Sequence, residues 1–473
     1  MLYWKLSVCP ASAVARSKEC ILVGLIFLFL VALSPAWNRP AWGQTTGGVT
    51  GGLGGPSILS RGGTPVGRSG GRPIRFRGFL SAAAFYSDGL TPPATDVRGN
   101  DIKQESYGYN FGYGVYGTRP GRRSEISLSY TGSYHVSTVN SRYSGLNQSL
   151  SLNYGHQVSR RVQFFAGTRG SAQNTSLANF STPLVTDIAP EQSPTQFELF
   201  DNQYYTLSGI AGLAYQKSAR WTFTFAGGAA TTQRHSTALA SGTGYFSNAD
   251  ATYALSRRTR VGATFGYNKI LYRRSFGESD VMSLGGHWSR VLSPRWNAAL
   301  GAGIYRSEST RLRRVAVDPL VAALLGQRTT LEVFHGINLG LQASAMLQGH
   351  YNRSSISFVL ARGVGAGNSL LLTAQRDIAS TSYSYAATRN LSFTASASYA
   401  KARALLISYQ DLGSYETYGG GVGMSYRLFG PVHFTSSGHV RHYNQRGTSI
   451  VRDRYYVRIG LTFSPGELPL LFW

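Results

Sequence analysis

The chain has 473 residues, of which 14% are charged and 42% are hydrophobic, and its formal net charge is +25. Soluble domains usually contain about 25% charged residues, so this composition, with 56 glycines and 29 tyrosines, argues against an ordinary soluble enzyme. A strongly basic chain favours nucleic acid, anionic lipid or anionic solutes as partners. Nucleic acid is disfavoured, because the chain begins with the pattern of an export signal and contains no evident basic helix or aromatic stacking platform.

The first 43 residues have the pattern of a secretory signal peptide. Basic residues precede a thirteen-residue apolar run at 21–33, and helix-breaking residues follow it. Ala41-Trp42-Gly43 then supplies small residues around a cleavage site, which we expect after Gly43. The alternative is a membrane anchor, but the run is shorter than the roughly 20 residues that a spanning helix needs. Both cysteines, Cys9 and Cys20, are lost on cleavage, so we expect a mature chain without disulfides.

Residues 44–73 are rich in glycine and lack hydrophobic periodicity, which predicts a flexible periplasmic arm. From Ile74 to Phe463, stretches of about 10–14 residues alternate between apolar and polar side chains, the period of a β-strand. The predicted strands are 74–86, 105–118, 124–136, 145–157, 162–172, 204–216, 221–234, 243–255, 260–271, 281–292, 296–306, 331–346, 354–363, 376–387, 390–401, 415–428, 431–442 and 452–463. This gives about eighteen strands, an even number as bacterial barrels require, and sixteen is the alternative.

A soluble sandwich also alternates, but three features favour a membrane barrel. The stretches match the roughly 9–11 residues needed to cross a bilayer at a tilt. Aromatic residues such as Trp221, Trp288 and Trp296 lie near strand ends, where two girdles are expected. Short turns such as 159–161 alternate with longer loops at 87–104, 173–203, 307–330 and 403–413. We therefore predict an all-β fold, a transmembrane antiparallel up-and-down β-barrel, over residues 74–473 with a short C-terminal tail.

By its signal peptide, alternating strands and aromatic C-terminal end, the chain resembles a Gram-negative outer-membrane barrel of the porin type. The resemblance is architectural, and no motif selects one family within the class. It implies a place in the outer membrane, contact with lipid and lipopolysaccharide, and insertion by the barrel-insertion machinery. Either Phe463 or the closing Phe472-Trp473 would be the aromatic signal that this machinery reads.

The strand faces opposite the apolar ones are expected to line the interior. They contain mainly Ser, Thr, Gly and Asn, and the candidate pore-lining cations are Arg75, Arg77, Arg169, Arg441 and Arg458. A barrel near eighteen strands is wide enough for an aqueous channel, and inward arginines attract anions. The sequence thus predicts passive diffusion of small hydrophilic solutes with a preference for anions. In the alternative interpretation, these arginines pair with interior carboxylates or lie at the rims.

Two of the long loops differ sharply in charge. The loop at 173–203 is acidic, with Asp187, Glu191, Glu198 and Asp201. The loop at 307–330 is basic, with Arg311, Arg313, Arg314 and Arg328. Asp318 as an N-cap, Pro319 at the first position and Gly326 as a stop predict a short helix within it. The basic loop is either an inward constriction or, as we favour, a surface lid whose arginines contact lipopolysaccharide phosphates.

The sequence gives no support for catalysis, a cofactor or a metal site. It contains no phosphate-binding loop, dinucleotide fingerprint, HExxH or GxSxG motif. His433 and Ser437 share a strand face but would lie about 13 Å apart, and His439 and His442 face opposite sides, a poor metal pair. We therefore predict that the protein is not an enzyme.

Two other functions remain as alternatives. One is a barrel in an export or surface-attachment system, for instance polysaccharide secretion, in which the arm at 44–73 docks a periplasmic partner. The other is a lipid-acting hydrolase, which requires a Ser/His pair within hydrogen-bond reach at a barrel rim. Import coupled to TonB is disfavoured, because the arm is too short to form a folded plug. The oligomeric state is not determined by the sequence.

Overall fold

A computed structural model describes residues 77–88, 105–120, 123–138, 144–174, 203–235, 241–273, 277–316, 323, 326, 329–366, 373–388, 390–405, 414–446 and 451–464. The predicted signal peptide and arm, the acidic residues of the 173–203 loop, Arg75, Arg328 and Phe472-Trp473 lie outside these residues. No helix in the described ranges is long and apolar enough to cross a membrane.

The described chain forms eighteen strands. In chain order they are β1 (Arg77–Asp88), β2 (Glu105–Pro120), β3 (Ser124–Ser137), β4 (Gly145–Gln157), β5 (Val162–Gln173), β6 (Tyr204–Gln216), β7 (Trp221–Arg234), β8 (Ser241–Ala254), β9 (Thr259–Arg273), β10 (Gly277–Ser293), β11 (Trp296–Ala316), β12 (Thr329–His350), β13 (Ser354–Ala366), β14 (Thr373–Ala386), β15 (Leu391–Ala404), β16 (Ser414–Phe429), β17 (Val432–Arg446) and β18 (Val451–Phe463). Each of them overlaps one predicted strand, so the predicted count of eighteen is confirmed.

The strands form one closed antiparallel ring. Each strand pairs with its neighbours in sequence, and β1 pairs with both β2 and β18. The closing contact runs from Leu80 opposite Phe463 to Asp88 opposite Tyr455. The predicted fold class, an all-β up-and-down barrel, is therefore confirmed.

The two faces of the barrel wall have opposite chemistry. In β18, Val457 and Ile459 are exposed, whereas Arg458 between them is only 6% exposed. Residues directly opposite each other on paired strands point to the same side, so the face of Arg458 continues through Phe85 of β1 and Ser437 of β17. Followed around the ring in this way, the outer face is mainly apolar and the inner face mainly polar, as expected of a membrane barrel.

Hydroxyl groups shape the short turns that the sequence predicted. In five of them, one hydroxyl oxygen accepts the N–H groups two and three residues later at 3.0–3.2 Å; the residues are Ser159, Ser218, Ser256, Ser293 and Thr388. The turn amides cannot join the sheet ladder, so the side chain satisfies them instead. This local bonding explains why Ser or Thr recurs at the start of these turns.

The predicted loop at 307–330 is wrong at both of its ends, because 307–316 belong to β11 and 329–330 to β12. β11 continues through this region and pairs with β12, with Arg311 opposite Phe334 and Arg314 opposite Leu331. Arg311, Arg313 and Arg314 therefore lie in a strand rather than in a loop. Only two residues of the predicted helix fall in the described ranges: Ala323 is helical and Gly326 has a φ of 66°.

The β11–β12 hairpin extends beyond its neighbours. β12 pairs with β13 only from Ala343 opposite Arg362 to His350 opposite Ser355, while its pairing with β11 continues to Thr329. The β12 side alternates, with exposed apolar residues from Leu331 to Leu341 on its outer face, and the predicted strand at 331–346 covers most of it. The prediction missed only the β11 side, residues 307–316, because Glu308 and several arginines there leave no apolar alternation.

Ser218→Ala removes the hydroxyl that accepts the N–H groups of Arg220 and Trp221. Because such a bond has a net value of about 1 kcal/mol, we expect the free energy of unfolding to fall by a similar amount. Ser218→Thr keeps the oxygen and should retain wild-type stability. Urea titration of the refolded barrel in detergent, followed by far-UV circular dichroism, measures both variants, and equal losses in the two would contradict this role.

Candidate functional site on the inner face

The register places four of the predicted pore arginines on the inner face: Arg77, Arg169, Arg441 and Arg458. It also places on this face Arg311, which the sequence analysis assigned to the basic loop, and arginines that the sequence analysis did not single out, among them Arg234, Arg260, Arg376 and Arg454. Arg454 could have been predicted from the sequence, because it lies four residues before Arg458 in an alternating strand and therefore on the same face. The others lie near strand ends or in the extended hairpin, where alternation is weak.

The arginines occur at several levels between the two ends of the barrel. Arg77 and Arg260 lie at the short-turn ends of β1 and β9, and Arg169 and Arg458 lie within β5 and β18. Arg311 lies in the β11–β12 extension at the long-loop end. Guanidinium groups therefore occur on the inner wall near both ends of the described barrel and between them.

Two of these arginines lie directly opposite each other. Arg441 of β17 pairs in register with Arg454 of β18, and each Cζ atom is 5.9 Å from the ring centroid of Tyr443. Arg441 Nη1 also donates a hydrogen bond to Tyr443 Oη at 3.0 Å. Like charges opposite each other on a sheet repel, and the ring of Tyr443 attracts both guanidinium groups.

Stacked rings fill the wall beside this pair. Phe85 of β1 stacks on His135 of β3, with centroids 4.3 Å apart, and its ring lies 5.9 Å from that of Tyr456. The amide of Asn110 hydrogen-bonds His135 Nδ1 at 3.1 Å. Arg458, two residues after Tyr456, is the next residue on the inner face of β18. The wall is bulkier here than the small polar lining that the sequence predicted.

A second polar cluster lies on β8 and β10, about half the ring away from β18 in strand order. Thr252 Oγ1 donates to Asp250 Oδ1 at 2.7 Å and lies 3.2 Å from His287 Nε2. His287 Nδ1 is 3.4 Å from Asp250 Oδ2. Sequence analysis missed this cluster, because its residues lie on strands that are not neighbours.

Gly262 makes the cluster possible. It lies on β9 between the two strands, opposite both Thr252 and His287. A Cβ atom at this position would lie 2.3 Å from His287 Cε1 and 2.7 Å from a backbone oxygen. Only glycine therefore lets the imidazole lie across β9 and reach β8.

Thr252 and His287 form a hydroxyl–imidazole pair, the kind of contact a hydrolase needs. Acyl transfer also requires N–H donors aimed at the developing oxyanion. The backbone of β8, β9 and β10 around the pair is used in the sheet ladder, so it offers no such donors. His433 and Ser437 share β17, with Thr435 between them on the same face.

The described residues contain no group of three or more His, Cys, Asp or Glu side chains that could hold a metal ion.

A closed ring of eighteen alternating strands, apolar outside and polar inside, defines a porin-like transmembrane β-barrel. No family model and no curated protein matches the chain. Similar solved structures include OccK2 (OpdF) of Pseudomonas aeruginosa, with 12% identity, a TM-score of 0.39, and coverage of 82% of this chain and 98% of that one. A BenF-like porin from Pseudomonas fluorescens Pf-5 has 10% identity, a TM-score of 0.40 and the same coverages. The import receptor Fiu from E. coli K12 has 6% identity, a TM-score of 0.41, and coverages of 87% and 85%. Likeness at this level assigns no function.

Gly262→Ala tests the crossing of His287 over β9. The added Cβ overlaps the imidazole and a backbone oxygen, and overpacking of this kind costs about 1–3 kcal/mol of unfolding free energy. Gly438→Ala is the matched control, because nothing lies within 4 Å of a Cβ built there. Denaturant titration of both barrels should show a loss for Gly262→Ala alone. Equal stability of the two variants would contradict the close approach.

Proposed function

We propose that the chain is an outer-membrane channel for passive diffusion of small hydrophilic solutes, with a preference for anions. The observation that carries the proposal is the series of arginines on the inner face between the two barrel ends. Three steps lead to it: the place in a membrane, the width of the interior and the balance of charge within it.

The outer face supports the place in a membrane. Its apolar side chains are exposed around the ring; Leu207, Leu284, Leu341 and Ile459, for example, are 51–67% exposed. Proteins that span a membrane with β-strands and have such an outer face are expected in the outer membrane. The predicted signal peptide would direct the chain to export. By the same rule, the short turns face the periplasm and the long loops face outward.

The strand number supports an open interior. Barrels of 16–18 strands leave an aqueous channel, whereas those near eight strands are filled by side chains. Polar residues such as Ser151, Ser208 and Ser382 line the inner face between the arginines. Water and small polar solutes are compatible with this lining.

The charge balance supports the anion preference. On the inner face of the described strands, arginines outnumber carboxylates, which are Glu125, Asp250 and Glu332. Glu125 and Glu332 lie near strand ends, and Asp250 already contacts His287 and Thr252. In the alternative interpretation, interior carboxylates neutralise the arginines. The described strands supply fewer carboxylates than arginines on the inner face, which disfavours this alternative.

The rival functions have weaker support. A lipid-acting hydrolase needs oxyanion donors, which the wall around Thr252 and His287 does not offer. An export barrel depends on the arm at 44–73, which lies outside the described residues. A passive channel needs only the barrel itself.

Planar-bilayer conductance of the refolded mature protein under a salt gradient tests the proposal. We expect stable open steps and a reversal potential that favours anions. In the double variant Arg441→Gln/Arg454→Gln, the ratio of anion to cation permeability should fall about fivefold, the factor that corresponds to roughly 1 kcal/mol of attraction in a water-filled path.

Arg306→Gln is the control for this measurement, because Arg306 lies on the outer face of β11, in an ion pair with Glu308. It removes a positive charge outside the pore and should leave the reversal potential unchanged. A correctly folded barrel without open steps would contradict the channel. Steps that favour cations in the wild type would contradict the role of the arginines but not the channel.

Deletion of residues 44–73 separates a channel from an export barrel. A passive channel should keep its unitary conductance and selectivity without the arm, because the barrel strands are intact. The bilayer measurement above gives both quantities. A deletion that leaves conductance unchanged in vitro but abolishes surface delivery of a polymer in cells would favour the export function instead.

A further inference from the structure

Exposed arginines recur at the short-turn rim, the end of the barrel where each even strand turns into the next odd strand. Every such connection has at least one arginine in or beside it. The described ones are all exposed: Arg119, Arg160, Arg161, Arg220, Arg257, Arg258, Arg290, Arg295, Arg353 and Arg427. The remaining connection, between β14 and β15, contains Arg389. The repetition over the whole ring indicates a surface of one charge sign.

Aromatic residues fix the level of this rim. Trp221 packs on Tyr253 with ring centroids 4.9 Å apart, and Trp296 Nε1 donates to Tyr351 Oη at 3.1 Å. Tryptophan and tyrosine prefer the boundary between lipid tails and headgroups. The rim arginines next to them are therefore held at the depth of the lipid headgroups.

Two of the rim arginines contact these same tyrosine rings. Arg220 Nη1 donates to Tyr253 Oη at 3.2 Å, and the Cζ atom of Arg295 is 5.6 Å from the Tyr351 ring centroid. Because both rings belong to the aromatic girdle, the guanidinium groups are directed toward the lipid side of the rim. They are placed beside the barrel rather than in its mouth.

The opposite rim has a different charge pattern. Near the long-loop ends, basic and acidic residues lie directly opposite each other on the outer face: Lys269 with Asp280, Arg362 with Asp377, Lys401 with Glu416, and His442 with Asp453. Those charges are satisfied within the protein. None of the ion pairs among the described residues involves a short-turn arginine, and Glu125 is the one carboxylate at that end of the described strands.

We propose that the short-turn rim binds the phosphate groups of anionic phospholipids, so that these lipids are enriched around one end of the barrel. Guanidinium groups bind phosphate through paired hydrogen bonds, and basic residues at a membrane surface each add to the attraction for anionic lipid. The inference goes beyond the channel function. It needs the barrel to lie in a bilayer but does not depend on what passes through it.

Tryptophan fluorescence reports directly on this rim, because Trp221 and Trp296 lie in it. In the mature chain, Trp288→Phe and Trp473→Phe leave these two as the fluorophores. The barrel is refolded into phosphatidylcholine vesicles that contain a minor fraction of brominated phosphatidylglycerol or, in parallel, brominated phosphatidylcholine. Because bromine quenches only at contact, the quenching ratio measures local lipid composition. We expect phosphatidylglycerol to be enriched at least about twofold, and the enrichment to fall with added salt.

Two triple variants in the same background identify the cause. Arg220→Gln/Arg258→Gln/Arg295→Gln should bring the quenching ratio close to one. Arg220→Lys/Arg258→Lys/Arg295→Lys keeps the charges and should keep most of the enrichment. Far-UV circular dichroism confirms that each variant is folded.

Equal quenching by the two lipids in the wild-type rim would overturn the proposal. This result is expected if the rim binds an acidic periplasmic protein instead of lipid. Enrichment that persists in the glutamine variant would also overturn it. Bilayer conductance of the same samples is read separately, so a failure of this inference is distinguishable from a failure of the channel function.

Discussion

The pairing of the first strand with the last is the contact on which the rest of the structure depends. Backbone N–H and C=O groups have no water to bind inside a bilayer, so a sheet can cross it only if no edge is left open to lipid. The β1–β18 ladder, from Leu80–Phe463 to Asp88–Tyr455, meets this condition. Once the ring is closed, alternation alone divides the side chains into an outer set that meets lipid and an inner set that meets water. The two sets can then differ without affecting each other.

This division explains how much of the fold could be predicted. A period of two is a local signal, so all eighteen strands were recognisable wherever one face meets lipid. The β11 side of the β11–β12 extension was missed because polar and charged residues from 306 to 314 fall on both of its faces. The Thr–His–Asp cluster was missed for another reason: His287 reaches Asp250 across a strand, through the space left by Gly262. No local pattern encodes a contact that depends on the register of three strands.

The same principle limits what could be predicted of the candidate site. The alternation of side chains along a single strand was enough to predict that Arg441 and Arg458 lie on the inner face. Their neighbours were not predictable, because which residues lie opposite each other depends on the register of β17 with β18. The juxtaposition of Arg441 with Arg454, and the ring of Tyr443 between them, appear only in the paired sheet. The chemistry of the site therefore lies in relations between strands more than in any single strand.

Arginine has different consequences at three places in this barrel, and position decides which. On the outer face near the long loops, Arg362 is paired with Asp377 and acts within the protein. At the short turns, arginines lie exposed beside aromatic rings, at the depth of lipid headgroups. On the inner face, they occur at several levels between the two ends of the barrel. Charges act over about 8–10 Å in salt solution, so the fields of neighbouring levels overlap. In the proposed channel, selectivity would be a property of the whole wall, with Asp250 about half a ring away from Arg454 providing the opposing charge. Each single substitution should then reduce the preference for anions by a part rather than abolish it.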